Sequence, residues 1–131
     1  MSKPVLLDTQ AFLYLRMGHP DLPESVRRLF QDPGQPVFLS LVSVWEMAIK
    51  VSLGKLDVRG RLRDLVESID RLGVSSLPIQ RDHVLGVEKL PFHHRDPFDR
   101  LLVSQAKAER MPIVSNDAIF DSYGLTRIWS A

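Results

Sequence analysis

The sequence predicts an α/β sandwich with a central, mainly parallel sheet. Short apolar runs of the kind found in buried strands alternate with longer stretches in which apolar residues recur at helical spacing. The chain has 131 residues, 44% of them hydrophobic, which suits one domain with a single sizeable core. The runs that we predict to be strands are residues 5–7, 37–40, 74–79, 112–115 and 126–129.

The first third of the chain predicts two strands and two helices. Residues 5–7 are apolar at every position, as expected for a central parallel strand that is buried on both faces. Asp8 can cap the helix that follows, and the Gly-His-Pro sequence at 18–20 ends it. Pro23 favours the first turn of a second helix, where a missing amide hydrogen does no harm. The turn at 32–36 then leads into the second strand.

The middle of the chain predicts two more helices and an edge strand. Ser43 and Glu46 have the spacing of a capping box, so we expect a helix to begin there and to continue to about Ser52. Residues 61–72 form an amphipathic pattern that predicts the next helix. The strand at 74–79 contains a proline, which cannot donate to a ladder and therefore favours the edge of the sheet.

The last third predicts a short helix at 82–89, a polar loop at 93–95 and a long helix. Asp96, with a proline directly after it, is typical of a helix start, and the helix is predicted to continue to about Glu109. The paired histidines of the loop lack the i,i+4 spacing of a helical metal pair. We therefore interpret this loop as surface, although it could border a site. A turn at 116–117 leads into a short helical segment before the last strand.

Composition excludes several classes of protein. There are 17 Lys and Arg residues against 16 Asp and Glu, so no global basic field indicates nucleic-acid binding, although Arg95 and Arg100 could contact phosphate locally. The absence of cysteine excludes disulfides, thiolate metal sites and a cysteine nucleophile. No apolar run approaches the ~20 residues of a membrane span. The start of the chain has no signal-peptide pattern, so we expect a cytoplasmic protein.

Four acidic residues stand where a buried strand is predicted to end or a helix to begin. They are Asp8, Glu46, Asp99 and Asp117. Ligands of open parallel sheets bind outside the carboxyl ends of the strands, so these side chains are expected to converge on one pocket. Several carboxylate oxygens together are the ligands that Mg²⁺ or Mn²⁺ prefers. The sequence therefore predicts a divalent metal site at this end of the sheet.

Four short motifs, read in order, resemble the PIN-domain family, and most closely its VapC-type ribonuclease toxins. The motifs are Leu7-Asp8-Thr9, Ser43-Val44-Trp45-Glu46, the block from Arg95 to Leu102, and Ser115-Asn116-Asp117. Each motif is common by itself, but their joint occurrence in this order is specific and covers nearly the whole chain. The resemblance implies a single PIN domain over residues 1–131, folded as a three-layer α/β/α sandwich.

The resemblance also implies a Mg²⁺- or Mn²⁺-dependent endoribonuclease. By position, the acidic quartet of the family matches Asp8, Glu46, Asp99 and Asp117. Ser115 matches a hydroxyl position at which the family often has threonine, and Thr9 and Ser115 would orient the ligands or bound water. Asp96 is a lesser candidate for a ligand. Arg95 and Arg100 would contact the RNA.

The partners implied by the resemblance are an RNA substrate and a cognate VapB-like antitoxin. We also expect a homodimer or a hetero-oligomer with the antitoxin, because the first two helices carry more apolar residues than one small sheet face would cover. These residues are Phe12, Leu13, Leu15, Val26, Leu29 and Phe30.

Each acid also has a purely structural interpretation. Asp8 and Asp117 could serve only as caps or turn residues, and Asp99 is favoured in a first helical turn by the helix dipole. Glu46 could complete the capping box or form an i,i+4 pair with Lys50.

Two functions other than a ribonuclease are alternatives. One is a non-catalytic PIN-fold binding module, and the other is a Mg²⁺-dependent phosphatase, although the sequence contains no D-x-D motif that would support a phosphatase.

Overall fold

The computed structural model describes residues 3–130 and contains five strands in one sheet. The strands are β1 (Val5–Leu7), β2 (Val37–Ser40), β3 (Val74–Leu77), β4 (Ile113–Val114) and β5 (Arg127–Ile128). Their order across the sheet is β3-β2-β1-β4-β5, and all four pairings are parallel. The predicted fold class is confirmed. Met1, Ser2 and Ala131 lie outside the described residues. The first two belong to the segment from which we expect no signal peptide.

Six α-helices and three 3₁₀ segments connect the strands of the described chain. The helices are α1 (Thr9–Met17), α2 (Glu24–Gln31), α3 (Leu41–Ser52), α4 (Leu62–Glu67), α5 (Arg81–Gly86) and α6 (Pro97–Glu109). The 3₁₀ segments are Asp70–Leu72, Val87–Lys89 and Ala118–Tyr123. Between residues 3 and 130, none of the helices has the length and apolar character needed to cross a membrane.

Alternate residues of β1 face opposite sides of the sheet and belong to two separate cores. Val5 and Leu7 pack with apolar residues of α1, α2 and α4, whereas Leu6 packs with those of α6. Phe12 of α1 and Leu102 of α6 are both completely buried, one on each face. Helices therefore cover the sheet on both sides, which gives the three layers of the predicted sandwich.

The order of the strands reverses at β1. From β1 the chain builds outward through β2 to β3, and it then returns to the other side of β1 to form β4 and β5. Leu7 accordingly pairs with Leu39 of β2 on one side and with Val114 of β4 on the other. In open α/β sheets the crevice at such a reversal, beyond the carboxyl ends of the strands, is where ligands bind. The residues that follow β1 and β4 lie at this end.

The start of α3 differs from the prediction. The helix begins at Leu41, directly after β2, and Ser40 is its N-cap because its hydroxyl accepts the amide hydrogen of Val42 at 2.9 Å. The predicted capping box of Ser43 and Glu46 is therefore wrong. Both side chains are buried in the helix body instead.

Two other predicted elements are shorter than expected. The helix predicted over residues 61–72 ends at Glu67, where the Ser68 hydroxyl donates to the carbonyl of Leu65 at 2.6 Å, and a 3₁₀ turn follows. The predicted strand at 74–79 ends before its proline and, as predicted, forms one edge of the sheet.

The apolar residues of α1 and α2 are more covered than predicted. Phe12 and Val26 are completely buried, and the other four residues of the predicted patch are partly buried against the same core. Large exposed apolar side chains include Met17 at the end of α1, Leu85 on α5 and Phe92, which is 82% exposed. Less of the predicted patch is therefore accessible to a partner than the sequence indicates, and a partner surface that includes its partly buried residues stays a prediction.

Candidate metal centre

The four predicted acids line one cleft at the reversal of strand order. Asp8 follows β1, Asp117 follows β4, Glu46 lies in α3 and Asp99 in the first turn of α6. The cleft has a volume of about 380 Å³, and Asp96 also lines it. Residues that are up to 109 positions apart in the sequence, from Asp8 to Asp117, are thus gathered at the carboxyl end of the sheet.

Asp8 is buried and uses its two carboxylate oxygens differently. Oδ1 caps α1 by accepting the amide hydrogen of Ala11 at 2.7 Å, as the structural interpretation required. Oδ2 accepts the hydroxyl hydrogen of Ser115 at 2.5 Å, and Ser115 Oγ accepts the amide hydrogen of Asp117 at 2.9 Å. Ser115 therefore ties Asp8 to the backbone of Asp117 and holds the ends of β1 and β4 together.

Glu46 is also buried, and both of its oxygens have partners. Oε1 accepts the hydroxyl hydrogen of Thr9 at 2.6 Å, and Oε2 forms an ion pair with Lys50 Nζ at 2.9 Å. The Thr9 hydroxyl also lies 2.9 Å from that of Ser43. The i,i+4 pair named as the structural alternative is present, and Thr9 directs the carboxylate of Glu46 into the cleft.

Asp99 and Asp117 meet at the ring of His94. His94 Nε2 lies 2.9 Å from Asp99 Oδ2 and 3.7 Å from Asp117 Oδ2. One ligand atom from each of these three residues can be chosen so that all lie within 4.8 Å of one another.

Asp96 caps α6, because its Oδ1 accepts the amide hydrogens of Phe98 and Asp99. The side chain of Asp99, three residues later, is not the cap and lines the cleft.

Crowding of the acids changes their proton affinity. Burial, with further repulsion from Asp96, Asp8, Glu46 and Asp117, raises the pKa of Asp99 to about 7. Burial also raises the pKa of Asp8 to about 6, although the hydrogen bonds from Ser115 and Ala11 oppose this rise. A divalent cation would relieve the repulsion, and carboxylates are the oxygen ligands it prefers. The residues present therefore fit Mg²⁺ or Mn²⁺.

Of the two arginines predicted to contact RNA, Arg95 is exposed on the loop before α6, but Arg100 is buried. The guanidinium of Arg100 donates to the carbonyls of Pro91 at 2.9 Å, Leu90 at 3.2 Å and Val87 at 3.3 Å. An arginine that is enclosed by backbone acceptors cannot bind a phosphate as well. We therefore correct the prediction for Arg100, which holds the segment before α6 in place.

His94 is a member of the acidic cluster that no sequence pattern indicates, and for Lys50 the pattern indicates only an ion pair with Glu46. Lys50 lines the cleft, and its pKa is raised, chiefly by the hydrogen bond to Glu46. The i,i+4 spacing from Glu46 was the available signal for Lys50. His94 had no such signal, because its position depends on a loop whose conformation is fixed by distant contacts.

The raised pKa of Asp99 predicts how the stability of the metal-free protein depends on pH. Between its ordinary pKa of 3.8 and its folded pKa of about 7, the folded state binds more protons than the unfolded state. The free energy of unfolding should therefore fall as pH rises through this range. Asp99→Asn should remove much of this fall, so the variant is expected to melt at a higher temperature than wild type in chelator at about pH 8.

Thermal melts in chelator and in Mn²⁺ test this expectation, with Asp70→Asn, an exposed acid outside the cluster, as the control. Asp99→Asn should also lose most of the rise in melting temperature that Mn²⁺ gives the wild type. A variant that melts lower than wild type in chelator and still responds fully to Mn²⁺ would make Asp99 a structural residue and move the metal site elsewhere.

Comparisons with known proteins agree with this architecture. The family model described as "PIN domain" matches residues 5–125. The fold is similar to that of a chain in VapBC2 from Rickettsia felis bound to a DNA fragment from its promoter, with a TM-score of 0.73, 17% identity, and coverage of 98% of this chain and 100% of that chain. It is also similar to a chain of DNA-bound VapBC from Salmonella typhimurium, with a TM-score of 0.69, 18% identity, and coverage of 98% and 97%.

A third similar structure is a toxin–antitoxin complex from Klebsiella pneumoniae, with a TM-score of 0.59, 14% identity, and coverage of 86% of each chain. No curated protein is significantly similar to the chain in sequence. At identities this low, the likeness to solved structures concerns the fold alone. The match to the family model, which spans most of the chain, is the finding that assigns a family.

Proposed function

This chain belongs to the PIN-domain family, and from that premise we propose that it is a metal-dependent endoribonuclease, the toxin of a VapBC-like toxin–antitoxin pair. The proposal treats residues 1–131 as a single PIN domain acting on RNA in the cytoplasm. The observation that carries it is the convergence of four acids in one cleft at the reversal of strand order. Burial and repulsion raise the pKa of two of them, as expected for a site that binds a cation.

Asp8, Glu46, Asp99 and Asp117 would hold the metal. When bound, Mg²⁺ or Mn²⁺ lowers the pKa of water and stabilises negative charge on phosphoryl oxygens, which is the chemistry that phosphodiester hydrolysis needs. Thr9 and Ser115 orient the carboxylates of Glu46 and Asp8 through the hydrogen bonds described above. Lys50 adds a positive charge to the cleft wall, where the RNA backbone could be attracted.

The two rival functions predict different results with the same preparation. A ribonuclease should cleave a labelled RNA in Mg²⁺ or Mn²⁺, be inactive in chelator, and leave a phosphomonoester intact. A Mg²⁺-dependent phosphatase would hydrolyse the phosphomonoester in metal and leave the RNA intact. A non-catalytic binding module would bind the RNA without cutting it. Cleavage of the phosphomonoester, or no metal-dependent cleavage of any RNA tested, would contradict the proposal.

An antitoxin partner is supported by the fold's likeness to chains of VapBC complexes and of a toxin–antitoxin complex. Exposed apolar side chains are available for such a partner, among them Trp45 at 52% and Leu85 at 61% exposure. We expect the product of a neighbouring small reading frame to bind the chain and inhibit RNA cleavage. Co-purification, light scattering and cleavage assays measure this. A monomer at high protein concentration that neither binds that product nor is inhibited by it would contradict the partner proposal.

A further inference from the structure

The ring of His94 lies between two acids of the proposed metal site. Its Nε2 is 2.9 Å from Asp99 Oδ2 and 3.7 Å from Asp117 Oδ2, and the side chain is 22% exposed. Histidine is also a common metal ligand, so distance alone would allow His94 to join the two acids in holding the cation. The hydrogen bond of the other ring nitrogen, Nδ1, shows whether Nε2 can act as a metal ligand.

Nδ1 of His94 lies 3.1 Å from the amide nitrogen of Asp96 and accepts its hydrogen. A backbone amide can only donate, so Nδ1 must present its lone pair and the hydrogen of a neutral ring must be on Nε2. The Nε2–H then lies against the Asp99 carboxylate, with Nε2 2.9 Å from Oδ2. A ring nitrogen that carries a hydrogen has no lone pair for a metal ion. In this arrangement His94 presents an N–H to the acids and cannot be a ligand beside them.

The backbone on both sides of the ring is held in place. The amide of His94 donates to Tyr123 Oη at 2.8 Å, and Tyr123 Oη donates to the carbonyl of Pro91 at 2.9 Å. The carbonyl of His94 accepts from the buried Arg100 at 3.4 Å. To release Asp99, the ring would have to rotate away and give up the hydrogen bond from the amide of Asp96 as well. The backbone contacts of the loop do not depend on the ring, so the ring and the site can separate without unfolding.

We propose that His94 is an internal competitor of the metal: in the metal-free protein its Nε2–H lies against Asp99 and near Asp117, two of the acids that would hold the cation, and it must leave before these acids bind the ion. The inference rests on the proposed function only through the metal site. It assigns His94 a role that the acidic quartet alone does not contain. Removing the ring should therefore raise metal affinity, whereas removing a ligand would lower it.

The test measures binding of Mn²⁺ alone to the full chain at about pH 8, by calorimetry or by the loss of the free Mn²⁺ spin-resonance signal, so that RNA cleavage plays no part. His94→Ala is expected to bind Mn²⁺ about tenfold more tightly than wild type, because the variant has no N–H contact with the Asp99 carboxylate to give up before the ion binds. His93→Ala is the matched control. His93 is exposed and packs its ring on Tyr123 outside the cluster, so the Mn²⁺ affinity of His93→Ala should equal that of wild type.

Weaker Mn²⁺ binding by His94→Ala would make His94 a ligand, and unchanged binding would make it a bystander. Both results overturn the inference. If the wild type binds no Mn²⁺, the metal site itself is wrong, and the proposed function fails together with this inference.

A second measurement needs no variant and covers the case in which His94→Ala does not fold. Long-range ¹H–¹⁵N spectra of the wild type in chelator should show the hydrogen of His94 on Nε2. Addition of Mg²⁺ should move both ring nitrogen signals, because the ring gives up its contacts with Asp99 and with the amide of Asp96. A hydrogen on Nδ1 in chelator, or ring nitrogen signals that stay unchanged when Mg²⁺ binds, would make the inference wrong.

Discussion

Asp8→Asn and Asp99→Asn should each lower the rate of RNA cleavage at least ~10²-fold, the loss expected when a transition-state electrostatic contact is removed. Asparagine keeps the size of the side chain but removes the charge that would hold the metal. At Asp8 the remaining carbonyl oxygen can still accept the amide hydrogen of Ala11, so α1 keeps its cap. The variants should therefore fold and fail in cleavage.

Initial rates on a labelled RNA at saturating Mn²⁺ measure the loss, with Asp70→Asn as the control for a generic loss of one charge. Circular dichroism and the melting temperature confirm that each variant is folded. Near wild-type cleavage by both variants, in preparations free of contaminating nuclease, would remove the two acids from the proposed site.

The fold was predictable because its central strand is apolar on both faces. Val5, Leu6 and Leu7 form a run too short for a helix of its own, and the helical patterns that follow it favour a parallel sheet covered on both faces. Element starts were less predictable. Ser40 and Ser43 are both reasonable caps, and the choice of Ser40 depends on where β2 ends, which is set by its pairing in the sheet.

The acids of the candidate site could be found from the sequence because each one stands next to a recognisable strand end or helix start. The contacts that other residues make around these acids could not be predicted from the sequence. Arg100 has the sequence context of an exposed basic residue in a first helical turn, yet it faces four backbone carbonyls of the preceding segment. His94 reaches Asp99 only because that segment is held in place. Such contacts depend on loop conformation, for which one sequence has no periodic signal.

Because of these contacts, the second large effect is expected at Arg100. Arg100→Met should lower the free energy of unfolding by about 3 kcal/mol. Methionine fills much of the volume but leaves the buried carbonyl of Leu90 without this donor, and a buried acceptor that loses its partner costs about 1–3 kcal/mol. The carbonyl of Val87 also loses Arg100 but keeps the amide hydrogen of Leu90. Tyr123 still donates to Pro91, which moderates the loss there. The cation–π contact with the ring of Phe92, 4.2 Å away, is also removed.

Urea unfolding in chelator measures this change, and Arg95→Met is the matched control because Arg95 is an exposed arginine close to Arg100 in the sequence. The control should stay within about 0.5 kcal/mol of wild type, as surface substitutions usually do. Arg100→Lys should fall between the two, since a lysine keeps the charge but cannot reach several carbonyls at once. An arginine used for RNA would give the opposite result, with unchanged stability and weaker RNA binding for Arg100→Met. That outcome would restore the RNA contact predicted from the sequence and leave the burial of Arg100 unexplained.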